Sequence, residues 1–174
     1  MIGVGIGVNP SFGLTIKWPR NSPARTVVLE QQLTTFTISS VVALNLSEWL
    51  PGVSLAVGPD FVPASVYLNR DIAFGNSYGS VELSGRAFGV GARAGLTIQP
   101  KPVKGLSFGF TWRSQVRLDL KGKANFTAPS PFRAELPPDG DGSTRITLPM
   151  AVSGGVAYKF LDGALELEAD ITWT

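Results

Sequence analysis

Glu166, Glu168 and Asp170 stand at every second position near the end of a 174-residue chain. Paired carboxylates can do acid–base work of the kind glycosidases use. That chemistry needs groups converging on a cleft, whereas alternate residues of one strand form a row along a single face. A hydrated wall accounts for this row better. Arg113 and Arg117 share a spacing of four, and the small residues Ala151, Ser153, Gly155 and Ala157 come between them and the carboxylates. The gap predicts a ladder of opposite charges, with capture of a ligand carboxylate as its second use. Asp139-Gly140-Asp141-Gly142 lacks the spacing and terminal Glu of an EF-hand loop and reads as a turn-rich loop. Gly3, Gly5 and Gly7 precede no helix, so they are no phosphate loop. They remove side chains where a ligand or another segment approaches.

The chain has no Cys and no His. Ser-His-Asp and Cys-His catalysis and the commonest zinc ligand are therefore missing, and we expect no enzyme, metal or cofactor. A net charge of +2 is too small to argue for nucleic acid. Charged residues make up 16%, against ~25% in a soluble domain. No apolar run approaches the ~20 residues of a membrane-crossing helix. The start, MIGVGIGVNPSFG, shows no basic, apolar and small-residue sequence of a secretory signal. It enters directly into alternation, as expected of a mature segment or a truncated reading frame.

That alternation organises the whole chain. Val4, Ile6, Val8, Pro10, Phe12, Leu14, Ile16 and Trp18 fall on one face of the first segment. In 104–123, Leu106, Phe108, Phe110, Trp112, Val116, Leu118 and Leu120 share a face with Ser114 as the exception. Ser107, Gly109, Thr111, Arg113, Gln115, Arg117, Asp119, Lys121 and Lys123 form the other. Segments 145–160 and 165–174 repeat the pattern, and so do Phe36, Ile38, Val42, Leu44 and Leu46. Two segments change phase, at Pro59-Asp60 and near Gly85, which predicts bulges. The count is seven strands. Tight connections at 45–52, 99–105 and 161–163 alternate with longer ones at 19–32, 71–78 and 126–143. Short turns on one rim and longer loops on the other is the outer-membrane barrel pattern, with the tight turns periplasmic.

A soluble β-sandwich, or a lipocalin-like lipid-binding or adhesive protein, also alternates. The barrel is favoured because the polar faces are rich in Gly, Ser, Thr and Ala, as a crowded interior requires. The apolar stripes also carry Trp18, Tyr67, Tyr158 and Trp173 near their ends, where an interfacial girdle would lie.

The stretch TWRSQVRLDLKGKANF (Thr111–Phe126) resembles a signature of the FadL/TodX family, through Trp112, Arg113, Ser114, Val116, Leu118, Lys121 and Gly122. LPMAVSGGVAYKF and LELEADITWT resemble the two strands that follow it in that family, and GVGIGVNPSFGLTIKW resembles its third strand. The resemblance covers the chain in order. It implies an outer-membrane location and passive transport of hydrophobic small molecules, long-chain fatty acids or hydrocarbons. It further implies that residues 1–174 supply about the third to ninth strands of an all-β, antiparallel, up-and-down barrel. The N-terminal plug and the remaining strands would lie outside this chain. Its partners would be a hydrophobic ligand, outer-membrane lipid and the rest of its own barrel. Asp71–Tyr78 is short where the fatty-acid prototype carries a long helical loop.

Two groups of residues are then expected on the ligand's path. Pro10, beside Asn9, lacks a donor within a continuing strand, and Gly5, Gly7, Ser11 and Gly13 leave space around it. The resemblance implies a lateral exit there; a strand end with Asn9-Pro10-Ser11 as a rim turn or bulge is the alternative. Phe126, Phe132 and Leu136 make the 126–143 loop more apolar than an idle loop requires, which fits either a ligand-collecting role or a loop packed on the barrel. Arg113 and Arg117 complete the set.

Overall fold

The computed structural model describes all 174 residues, the side chain of Asp162 excepted. Its strands are β1 (Ile2–Lys17), β2 (Glu30–Asn45), β3 (Val53–Phe74), β4 (Ser77–Ile98), β5 (Leu106–Arg113), β6 (Val116–Thr127), β7 (Gly140–Leu148), β8 (Ala151–Phe160) and β9 (Leu165–Trp173). Short 3₁₀ turns at Pro23–Thr26, Ser130–Glu135 and Leu161–Gly163 are the only helical segments among the described residues. Every strand pair is antiparallel. The nine strands trace the seven expected passes, because β5 and β6 continue one line and β7 and β8 another. β4 pairs with both β5 and β6, while β8 takes β5 and β7 takes β6. β1 and β9 end the sheet, each with one neighbour.

The hairpin of β3 and β4 is the longest element, at 22 residues a strand. About 9–11 residues cross a bilayer, so half of it projects beyond. Its connection departs from the expected longer loop at 71–78. The ladder runs to Phe74↔Ser77, leaving a two-residue turn of Gly75 and Asn76, with Gly75 at φ 59°. Positive φ at the first turn position is what a tight hairpin needs.

Register decides the faces. The β3–β4 ladder is unbroken from Val53↔Ile98 to Phe74↔Ser77, so the bulges expected at Pro59-Asp60 and Gly85 are absent. The apolar phase changes because Val62 and Ala64 point inward, where they are buried. In β1 the expectation fails the other way. Its apolar run is continuous on one face in the sequence, but the register shifts between Pro10 and Phe12. Ile6, at 80% exposure, faces outward, whereas Phe12 turns in and packs on Val62 and its neighbours.

The outer face carries Leu55, Val57 and Phe61 on β3 and Phe88, Val90, Leu96 and Ile98 on β4. Phe61 and Phe88 stack at 6.3 Å. From Phe88 to Ile98 this belt runs about 33 Å along the strand. At barrel tilt that is close to the ~25 Å height of a lipid-facing band.

Candidate functional site

The sheet's concave face holds a core set into a polar wall. Val62, Ala64, Val116, Leu118 and Leu148 are buried together, with Phe12, Ala87 and Ile146 against them. Leu118 is 0% exposed, whereas Phe110, on the same continuous pass, is 47% exposed. The single phase expected for 104–123 is therefore overturned at Ser114-Gln115. Below this point β5 pairs with β4 through Arg93↔Arg113 and Ile98↔Phe108. Above it β6 pairs through Arg86↔Lys121, one residue out of step. A one-residue slip moves every side chain to the opposite face.

The ribbon turns over as a unit. Val116↔Leu148 and Arg113↔Ala151 hold the same offset, so both strands keep their phase relative to each other while reversing relative to β4. Ser114 fixes the turning point. Its backbone N–H donates to Ala92 O at 2.8 Å, and its hydroxyl accepts from Ala92 N at 2.9 Å. Pro149, opposite on the second strand, cannot donate to a ladder. Gly89 and Gly91 make room for the turned ribbon. A Cβ on either would stand 2.5 Å or 2.7 Å from a Val116 methyl, closer than side chains pack.

Toward the tight-turn rim the interior becomes polar. Asp60 is fully buried and accepts from Arg93 Nε at 2.8 Å. Its second oxygen and the hydroxyl of Ser39, its register partner on β2, have no hydrogen-bond partner among the described residues. Thr35 repairs the β1 bulge by accepting from Phe12 N at 2.9 Å and donating to Phe12 O at 2.8 Å. Ser11 and Thr37 are joined through their hydroxyls. Arg113 lies over the Phe12 ring at 5.6 Å. With Arg93, Thr111, Ser153 and Thr172 it lines an open cavity of about 490 Å³. Val41, Ala56 and Ala151 line the same cavity, so small apolar side chains lie beside two guanidinium groups. Among the described residues no cluster suits a metal ion, and no helix is long and apolar enough to cross a membrane.

The expected residues are divided rather than gathered. Arg113 is inside, but Arg117 lies beyond the turning point on the opposite face. The predicted charge ladder does not form: Glu166 pairs with Lys159 at 3.8 Å, and among the described residues neither arginine pairs with Glu166, Glu168 or Asp170. Gly7 and Asn9, in register with Ser39 and Thr37, face the interior. Pro10, opposite Phe36, faces out, and the bulge sends Gly13 outward too. In the upper loop, Phe132 stacks on Phe74 at 5.1 Å. Phe126 N donates to Asp139 at 2.8 Å, and Leu136 N donates to Arg133 O at 3.3 Å. The loop thus docks on the tip of β3. Sequence reasoning missed Asp60, Arg93, Phe12 and Val62. The signal available was an Asp placed between Val57 and Val62, read there as a bulge.

The family described as outer membrane protein transport protein (OMPP1/FadL/TodX) matches residues 1–174. Among solved structures, a Pseudomonas aeruginosa FadL homologue superposes with a TM-score of 0.86 at 18% identity, over 99% of this chain and 45% of that one. The Ralstonia pickettii toluene transporter TbuX gives 0.74 at 18% identity, over 98% and 50%. The P. putida toluene transporter TodX gives 0.69 at 17% identity, over 98% and 50%. The chain thus spans about half the length of these relatives. No curated protein matches it.

Proposed function

We propose, for a chain that belongs to the FadL/TodX family of outer-membrane proteins, that its wall guides hydrophobic small molecules, fatty acids or hydrocarbons, passively across the outer membrane. The observation that carries this is the open cavity of about 490 Å³ on the concave face, where Val41, Ala56 and Ala151 offer apolar surface beside Arg93 and Arg113. The buried cluster of Phe12, Val62, Val116, Leu118 and Leu148 backs the wall next to it. A purely aqueous pore has a polar interior. The apolar side chains lining this cavity give an apolar solute somewhere to leave water, worth about 25 cal/mol per Å² covered. Arg93 and Arg113, in the same cavity, suit a ligand with a polar or anionic end.

Exit is proposed at Gly7–Gly13. Pro10 has no N–H, the ladder shifts beside it, and a Cβ on Gly7 would meet nothing closer than 3.8 Å. The loop above, held by Phe132 on Phe74, is proposed to receive ligand first.

The test is accumulation of labelled oleate or toluene by cells that lack their own transporter and express the full-length protein. Uptake without an energy source, slowed by Pro10→Val with Gly7→Val in a barrel that still assembles, supports the reading. No uptake above empty cells contradicts it. Normal uptake by the double variant removes the lateral exit. Removing 128–139 should slow uptake, and unchanged uptake would leave that loop a packing role alone.

A further inference from the structure

On the outer face, immediately above the apolar belt, the wall becomes basic. Arg86 on β4 stands directly opposite Lys121 on β6, and Ser84 stands opposite Lys123. With Ser65 and Tyr67 of β3 they border an open cavity of about 420 Å³. Like charges directly opposite in an antiparallel pair repel, so this wall keeps an unfavourable cross-strand pair at its surface. The carboxylates on the same face do not relieve it. Asp119 is held by Arg145 at 2.5 Å, Asp141 is in register with Lys123, and Glu82 lies two positions beyond Ser84 opposite Asn125. Among the described residues none of these carboxylates comes within 4 Å of the three cations.

Position indicates which anion would offset these charges. Phe88 and Val90, 64% and 59% exposed, end the belt two and four residues below Arg86 on the same face. An acyl chain lying on Phe61, Phe88 and Val90 would bring its own headgroup to the level of Arg86 and Lys121. We infer that this cavity binds the phosphate of an outer-leaflet lipid, its acyl chains lying on the apolar belt below. Arginine supplies a planar fork for phosphate oxygens and the lysines add point charges. The hydroxyls of Ser65, Ser84 and Tyr67 can donate to the remaining oxygens. The site is on the face opposite the proposed ligand path, so it stands or falls independently of transport.

The experiment is native mass spectrometry of the purified full-length barrel in neutral detergent, titrated with bisphosphorylated lipid A, with its dephosphorylated form and with pyrophosphate. Lipid A is expected to bind and the dephosphorylated form to bind far less. Arg86→Gln, Lys121→Gln and Lys123→Gln together should weaken binding on the order of a hundredfold, and each lysine change alone on the order of fivefold. Lys101→Gln with Lys104→Gln, at the opposite rim, should change nothing. Equal lipid A binding by the triple variant, equal binding of the dephosphorylated lipid, or pyrophosphate binding as tight as lipid A would each overturn the assignment. The single variants alter exposed side chains, so a loss of binding in them is not a folding failure.

Discussion

The two halves of the β5–β8 ribbon have the same alternation and opposite fates. In the lower half, Phe108, Phe110 and Val156 look out toward lipid. In the upper half, Val116, Leu118, Leu120 and Leu148 look in and are buried. Nothing in residue type separates the halves. What differs is the partner each finds: β5 lies in plane with Arg93–Ile98 of β4, whereas Val116 and Leu118 pack over Gly89 and Gly91. An apolar stripe in a membrane barrel therefore reports that a face is dry. Whether it is dried by lipid or by the protein depends on the neighbouring strand.

The largest effect should come from filling the seat of the turned ribbon. Gly89→Leu puts a side chain where Val116 and Leu118 already lie, and neither backbone can retreat. Overpacking of this kind costs at least 1–3 kcal/mol, and here the upper half should fail to close. Heat-modifiable mobility of the full-length barrel on gels measures it. Wild-type mobility would mean that the ribbon does not rest on β4.

Next, Arg93→Gln leaves Asp60 buried without its cation. Breaking a buried pair from one side typically costs about 3–5 kcal/mol. Because the Arg93 side chain is itself one-third exposed, at 33%, the loss should fall at or below the lower end. Urea unfolding in lipid vesicles would register it. Replacing both partners, as Asp60→Asn with Arg93→Gln, should recover part of the loss, and no recovery would mean the two do not act as a pair.

A milder comparison sets Leu118→Ala against Phe110→Ala. The first opens a cavity in a protein core, about 2–5 kcal/mol. The second exchanges a ring in lipid for lipid and should cost less. Equal costs would erase the distinction between the halves. The smallest effect is expected at Asp119 and Arg145, whose pair is exposed on both sides, at 58% and 68%. Exposed pairs contribute little, so Arg145→Gln should leave the unfolding midpoint where it was.

Much of this was legible in the sequence. The seven passes, their antiparallel order, the all-β class and the lipid-facing rows Ile2–Val8 and Phe108–Phe110 follow from period-two alternation. The turning point at Ser114 left only a faint mark. Both strands of the ribbon reverse together, so neither loses its alternation, and one Ser in an apolar row was the visible trace. Gly89 and Gly91 look like any glycines until β6 is laid over them. Val62 and Ala64 mimic a bulge in the sequence because an apolar residue that packs inward has the phase that a lipid-facing one would have after a bulge. The bulge at Ser11 was hidden for a related reason. Phe12, Leu14 and Ile16 are apolar on either face, so the sequence row ran on while the strand changed sides. For the interior site, Arg113 could be read because its phase came from the lower half. Arg117, four residues on, was assigned by extending that phase through the turn.

The central claim, that one alternating pass faces lipid below Ser114 and protein above it, is tested by cysteine labelling in the full-length barrel. Cysteines at Phe110 and Leu118 share a phase in the sequence and should differ in the membrane. A lipid-phase maleimide is expected to modify Phe110→Cys and leave Leu118→Cys unreacted, with Arg117→Cys open to an aqueous reagent. Equal lipid-phase labelling at 110 and 118 would contradict the turned ribbon and restore a wall of single phase.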